Sequence, residues 1–188
     1  MPVGRRAALL LTTLAVAGCA PGGQLPPLPA TVRESAYRLG AGDLVRLTVF
    51  NDPRLTGEFR VSEAGTLALP LLGQLGAVGQ TTTELETTVR EEMRRRDLFR
   101  APEVAIEVLA YRPIFVLGMV EKGGQFPYQP GMTALTAVAV AGGFNYRAVR
   151  DYVSITRLGP GNRSVEYRAS RDAVMQPGDI VTVFERRF

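Results

Sequence analysis

The chain has 188 residues, 46% of them hydrophobic, and a formal net charge of +4, enough for one mid-sized domain or two small ones with a sound core. It contains no histidine, no tryptophan and one cysteine. That removes His-Cys metal sites and Ser-His-Asp or Cys-His triads, so no metal or other cofactor is expected and only carboxylate, Lys or Tyr chemistry stays open.

Arg5 and Arg6 precede an apolar run, Ala7 to Val16, too short to span roughly 30 Å of hydrocarbon as a helix. The segment reads as an export signal. It closes on Val16-Ala17-Gly18-Cys19, which resembles a bacterial lipobox: cleavage falls between Gly18 and Cys19, and the thiol takes the lipid. The alternative is an ordinary secretory signal with an incidental cysteine. Residues 1–18 are thus expected to be a signal peptide and 19–35, rich in Pro and Gly, an extended tether. All basic residues but Lys122 are Arg. Two readings stand: Arg forks gripping an anionic polymer, or codon bias in a GC-rich genome. Their interleaving with Asp and Glu does not make a nucleic-acid stripe.

Tyr37-Arg38-Leu39-Gly40-Ala41-Gly42-Asp43 is rich in turn residues and leads into an alternating strand, Leu44 to Phe50, with Val45, Leu47 and Val49 on its buried face. Asn51-Asp52-Pro53 is a turn. Phe59-Arg60-Val61 and Thr66 to Pro70 read as short strands joined by a hairpin turn at Glu63-Ala64-Gly65, and Leu71 to Gly76 as an extended piece. Thr81 and Glu84 fit a capping box, and Leu85, Val89 and Met93 form one stripe of a helix that ends before Pro102. Arg94-Arg95-Arg96 is either a solvated helix end or a binding feature. Glu103 to Val108 alternates as a strand, with Val104, Ile106 and Val108 inside.

A related order then recurs. Ile114 to Val120 is a strand, Glu121 to Gly124 a turn and Gln125 to Tyr128 an edge strand. Thr133 caps a helix through Leu135, Val138 and Ala141, stopped by Gly142-Gly143. Tyr152 to Arg157 and Val165 to Arg168 form a hairpin, and Pro177 to Phe184 supplies a last strand. Gly178-Asp179-Ile180-Val181 echoes Gly42-Asp43-Leu44-Val45 in type. The echo reflects either ordinary strand-start chemistry or two modules of one design. The fold class is α+β: two small mixed modules, 36–111 and 112–188, each a sheet covered by one helix.

The ordered series Tyr37-x-Leu39-Gly40-x-Gly42-Asp43, Asn51-Asp52-Pro53-x-Leu55-x-Gly57, Val61-x-x-x-Gly65-Thr66-Leu67-x-Leu69-Pro70-Leu71-Leu72-Gly73 and Pro102-x-Val104 resembles the polysaccharide export family. These are outer-membrane auxiliary lipoproteins of capsule and exopolysaccharide secretion. Val116-Leu117-Gly118-Met119-Val120, Gly124-Gln125-Phe126 and Ala141-Gly142-Gly143 are similar to the soluble-ligand-binding (SLBB) β-grasp module that follows in such proteins. The resemblance implies a ring of identical subunits on the periplasmic face of the outer membrane. The ring surrounds a passage for polysaccharide, meets an inner-membrane copolymerase and catalyses nothing. Ala20 after Cys19 favours the outer membrane by analogy. Better-known members carry a C-terminal amphipathic helix that builds an outer-membrane pore. This sequence closes on Val183 to Phe188, so the expectation is a collar that depends on a separate outer-membrane channel. Its interfaces between subunits would draw on Arg-bearing faces, Arg94 to Arg96 and Arg147 with Arg150.

Two other classes have candidate residues. A ligand-binding lipoprotein would use Tyr111, Tyr128, Phe144 and Tyr146 as stacking faces for a soluble ligand or oligosaccharide. A glycan-cleaving enzyme would need two carboxylates, for which Asp43 and Asp179 are available.

Overall fold

The structure is a computed structural model that describes residues 20–29, 36–159 and 163–186. Gly18 and Cys19, with the rest of the signal segment, lie outside them. The chain forms two layered α+β modules, whose separate cores are built from residues 39–106 and 114–183.

In the first module, β1 (Leu44–Val49) lies between β2 (Gly57–Arg60) and β5 (Val104–Ala110), antiparallel to both. Val45, Leu47 and Val49 alternate onto one face and are buried, the period-two pattern of a half-covered sheet. α1 (Thr82–Arg95) covers that face. Thr81 caps it with its hydroxyl accepting from the Glu84 N–H, while the Glu84 carboxylate accepts from the Thr81 N–H. Leu85, Val89 and Met93 are wholly buried at i, i+4 and i+8, each contributing about 1.5–3 kcal/mol of burial. Val108 is only partly buried, because the ladder between β1 and β5 shifts register between Leu44 and Val45.

Glu63-Ala64-Gly65 make the expected tight turn, with Ser62 N–H donating to Thr66 O (2.8 Å), but no ladder joins β2 to β3 (Thr66–Leu69). Instead β3 pairs antiparallel with β4 (Gly73–Gly76), around Pro70 to Leu72. The ladder between β1 and β2 sets where the chain leaves the sheet. It continues past both strands, with Val61 N–H donating to Asp43 O (2.9 Å) and Gly42 N–H to Val61 O (2.8 Å). The chain leaves at Ser62 through a turn closed by Gly65 N–H on Ser62 O and Ser62 N–H on Thr66 O (2.9 and 2.8 Å), after which β3 departs from the sheet.

The second module is a five-stranded sheet in the order β7-β6-β10-β8-β9: β6 (Ile114–Gly118), β7 (Gly124–Phe126), β8 (Tyr152–Leu158), β9 (Ser164–Ser170) and β10 (Ile180–Val183). The last strand enters the centre of the sheet, parallel to β6 and antiparallel to β8. The close pairing with β6 admits only glycine at position 118, where a Cβ would stand 2.2 Å from the Val183 carbonyl oxygen. α2 (Ala134–Val140) is capped by Thr133 and packs through Ala134, Ala137, Val138 and Ala141. Leu135, expected on that stripe, is 36% exposed: it lies about 100° round the helix from Ala134, and the small residues make the contact.

Part of the stretch expected as an extended tether is seated on this module. Arg168 N–H donates to Pro26 O (2.8 Å) and Leu28 N–H to Arg168 O (2.9 Å), a short parallel pairing that covers the free edge of β9.

Candidate functional site

The two Gly-Asp sequences make the same turn twice. Gly42 and Gly178 both take positive φ, 95° and 88°. In each turn the aspartate carboxylate accepts from the backbone N–H three residues earlier: Asp43 from Gly40 (2.8 Å) and Asp179 from Gln176 (2.7 Å). Both aspartates are buried. The chain linking the modules, Tyr111-Arg112-Pro113, passes between them. Arg112 N–H donates to Asp43 Oδ1 (2.9 Å) on one side, and Gly178 N–H donates to Pro113 O (3.2 Å) on the other.

Arg112 lies flat across the first turn. A Cβ at Gly40 would stand 1.9 Å from its Nη1, and its Nε is 3.9 Å from a Cβ position on Gly178 and 3.7 Å from Asp43 Oδ1. Asp43 also accepts a 2.5 Å hydrogen bond from the Tyr37 hydroxyl. Burial first, and this bond second, push the Tyr37 hydroxyl well above its ordinary value. Asp179 is gripped by the Arg157 guanidinium fork, at 2.9 Å from Nε and 2.7 Å from Nη2. Tyr37, Tyr111 and Tyr128 stack edge-to-face at 4.9 and 5.5 Å from one module to the next. Beside this joint opens a cleft of about 790 Å³, lined by Gly40, Glu63, Gln80, Arg112, Arg157 and Gln176 among others.

Asp43 is thus spent on two backbone N–H groups and the Tyr37 hydroxyl, and Asp179 on a backbone N–H and the Arg157 guanidinium, the arrangement of a structural clamp. Tyr111 and Tyr128, both partly buried, pack edge-to-face on each other. Phe144 forms an isolated bridge with Val120, whereas Tyr146 is 79% exposed. Among the described residues no group of three potential metal ligands occurs, and no helix is long and apolar enough to cross a membrane.

The motif glycines are dispersed. Gly40, Gly42 and Asp43 form the first clamp. Gly65 accepts from Ala77 N–H (2.8 Å), and Pro70 and Gly73 bound the hairpin of β3 and β4. Gly118 ends β6, and Gly142 with Gly143 stops α2 at positive φ. Arg95 forks onto Glu92, and Arg96 donates to Glu92 through Nε and to Leu71 O (3.0 Å), so two of the three arginines are engaged with their own module. The sequence reading missed Arg112 and Arg157. Their signal was faint: an Arg-Pro pair at the boundary between two periodic segments, and an Arg closing a strand opposite the second Gly-Asp.

Residues 31–109 match the family model described as "Polysaccharide biosynthesis/export protein". The chain is 32% identical over 138 residues to the exopolysaccharide production protein ExoF of Rhizobium meliloti (strain 1021), covering 65% of this chain and 33% of that protein. It is 26% identical over 176 residues to the EPS I polysaccharide export outer membrane protein EpsA of Ralstonia nicotianae, covering 80% of this chain and 45% of that one. The chain therefore spans between a third and a half of the length of these relatives.

Proposed function

We propose that this chain, which belongs through residues 31–109 to the polysaccharide biosynthesis/export family, is a non-catalytic subunit of an exopolysaccharide export assembly at the periplasmic face of the outer membrane. On this reading Cys19 carries the lipid. Identical copies form a ring round the polymer, and the second module is the soluble-ligand-binding β-grasp domain. The ring works with an inner-membrane copolymerase.

The observation that carries the reading is the 176-residue similarity to an outer-membrane export protein, long enough to run through both modules. The joint around Asp43 and Arg112 supports it, because a collar that holds a passage open needs its modules fixed. Gene deletion tests the reading directly: surface polysaccharide should be lost, and a deletion strain with normal polysaccharide would end it. The native mass of the detergent-extracted protein should be a closed multiple of the subunit. Cys19→Ser should cost export while the fold survives.

The cleft beside Arg112 and Arg157 favours a second reading, a lipoprotein that binds a soluble oligosaccharide. Titration calorimetry separates the two, since a conduit holds its polymer weakly.

A further inference from the structure

The second module is polar along its strands. The start of β10, at Asp179, and the end of β8, at Arg157, face the first module through the clamp. The opposite end of the same sheet carries the end of β10 and the start of β8. There Phe184 and Tyr152 pack together (5.8 Å), and the Arg168 guanidinium lies 3.8 Å over the Tyr152 ring.

Residues 20–25 sit against this second end. Two successive turns, Gly23 N–H on Ala20 O (3.0 Å) and Leu25 N–H on Gly22 O (3.2 Å), press Gly22 onto the Phe184 ring. A Cβ there would come within 2.7 Å of a ring carbon. Ala20, one residue from the proposed lipid attachment at Cys19, is tied by its carbonyl into the first of these turns, two residues from the contact of Gly22 with Phe184.

The same end gathers cations and an exposed aromatic. Arg186 N–H donates to Arg147 O (2.8 Å), and Asn145 N–H donates to Met119 O (3.0 Å). These bonds place Tyr146, Arg147 and Arg186 at this end. Arg150 follows Val149, whose N–H donates to Phe184 O (2.9 Å), and Lys122 follows Glu121, whose N–H donates to Gly143 O (3.1 Å). All five side chains are exposed. With Arg168 they outnumber the neighbouring carboxylates Glu121, Asp151 and Glu185, and Arg147 already pairs with Glu185.

We propose that this end of the second module is a membrane-facing surface that seats on anionic phospholipid headgroups, with Tyr146 at the interface and the described chain beginning at the same end, at Ala20. Guanidinium and ammonium groups near such a surface are attracted to its negative potential, and a tyrosine suits the boundary between headgroup and acyl chain. The proposal rests on Cys19 acylation for its geometry and fixes which module faces the bilayer: the second, with the first held away from it.

Two measurements test it. Acylated Cys19 has no free thiol, so Tyr146→Cys and Glu91→Cys each give a single labelling site for an environment-sensitive fluorophore in the full chain. In vesicles of phosphatidylcholine and phosphatidylglycerol, doxyl lipids should quench the label at 146 and spare the one on α1. Quenching at neither site, at both, or at 91 alone overturns the proposal. Separately, Cys19→Ser protein should bind phosphatidylglycerol-containing vesicles and lose binding in high salt. Adding Arg150→Ala and Arg186→Ala should weaken that binding roughly tenfold or more. Equal binding to neutral vesicles, or no effect of the double substitution, refutes the surface. Mass spectrometry of the mature chain reads acylation independently, so a failure of the lipid reading is told apart from a failure of the surface.

Discussion

Asp43→Ala should be among the most damaging single substitutions in the first module. The carboxylate is buried and accepts from Gly40 N–H, Arg112 N–H and the Tyr37 hydroxyl at 2.8, 2.9 and 2.5 Å. A hydrogen bond to a charged group contributes about 1.5–3 kcal/mol, and an orphaned buried donor costs about 1–3 kcal/mol. These terms are not additive, because the three donors share one acceptor group. The expected loss is about 3–5 kcal/mol, in line with breaking a buried pair. Against a total of about 5–15 kcal/mol for a domain, that is a large share. With an m-value near 1 kcal/mol per M urea for a unit this small, the midpoint should fall by about 3 M or more. Urea titration followed by tyrosine fluorescence and far-UV circular dichroism reads the shift. Asp43→Asn keeps one carbonyl oxygen and should cost about half as much. A loss below about 1 kcal/mol for Asp43→Ala would mean that the clamp is not what holds the turn.

Two further predictions concern titration. The folded chain holds the Tyr37 hydroxyl protonated where the unfolded chain, at its ordinary value of 10.0, has ionised it. The stability this contributes is complete below pH 10 and is lost as pH rises beyond it. Alkaline unfolding followed by circular dichroism should shift upward in Tyr37→Phe; no shift would place the transition elsewhere. Glu92 is held at about 2 by hydrogen bonds from Arg95 and then Arg96. Its lowered value gives stability that is present at neutral pH and lost as pH falls from its ordinary 4.5 through 2. Carboxyl NMR should find it ionised at pH 3, and Arg95→Ala should raise its titration midpoint.

What the sequence disclosed was local. The stripe Leu85, Val89, Met93 and the pair Thr81 and Glu84 lie within one helix, so period and spacing were enough to place α1. The echo of Gly42-Asp43 in Gly178-Asp179 was also readable, and both turns close by the same bond to the residue three back. What it did not disclose was long-range. Arg112 meets Asp43 across 69 residues of sequence, and no periodicity marks such a pairing. The partner of β3 was misjudged because Phe59 to Val61 and Leu71 to Gly76 are comparable short extended segments on either side of it, and local pattern does not choose between them. The seating of Pro26 and Leu28 on β9 was hidden for a related reason: a Pro-rich stretch suits an exposed edge as well as it suits a free tether.

The joint between the modules is also where structure and proposed function meet most closely. Arg112→Ala keeps the backbone N–H bond to Asp43 but removes the guanidinium that lies across Gly40 and faces Gly178. Asp43 retains its Gly40 and Tyr37 donors, so each module should stay folded. What is lost is the side chain that lies between the two turns. The substitution should leave circular dichroism unchanged and lower the melting temperature by only a few degrees, about 1–2 kcal/mol. It should nonetheless free the modules from each other: ¹⁵N relaxation should change from one shared rotational correlation time to two shorter ones. If a rigid pair is what a collar requires, export should fall in the same variant although its fold and membrane attachment are intact. Two independently tumbling modules with normal export would show that rigidity at this joint is not used. One shared correlation time in Arg112→Ala would show instead that the stack of Tyr37, Tyr111 and Tyr128 holds the joint without the arginine.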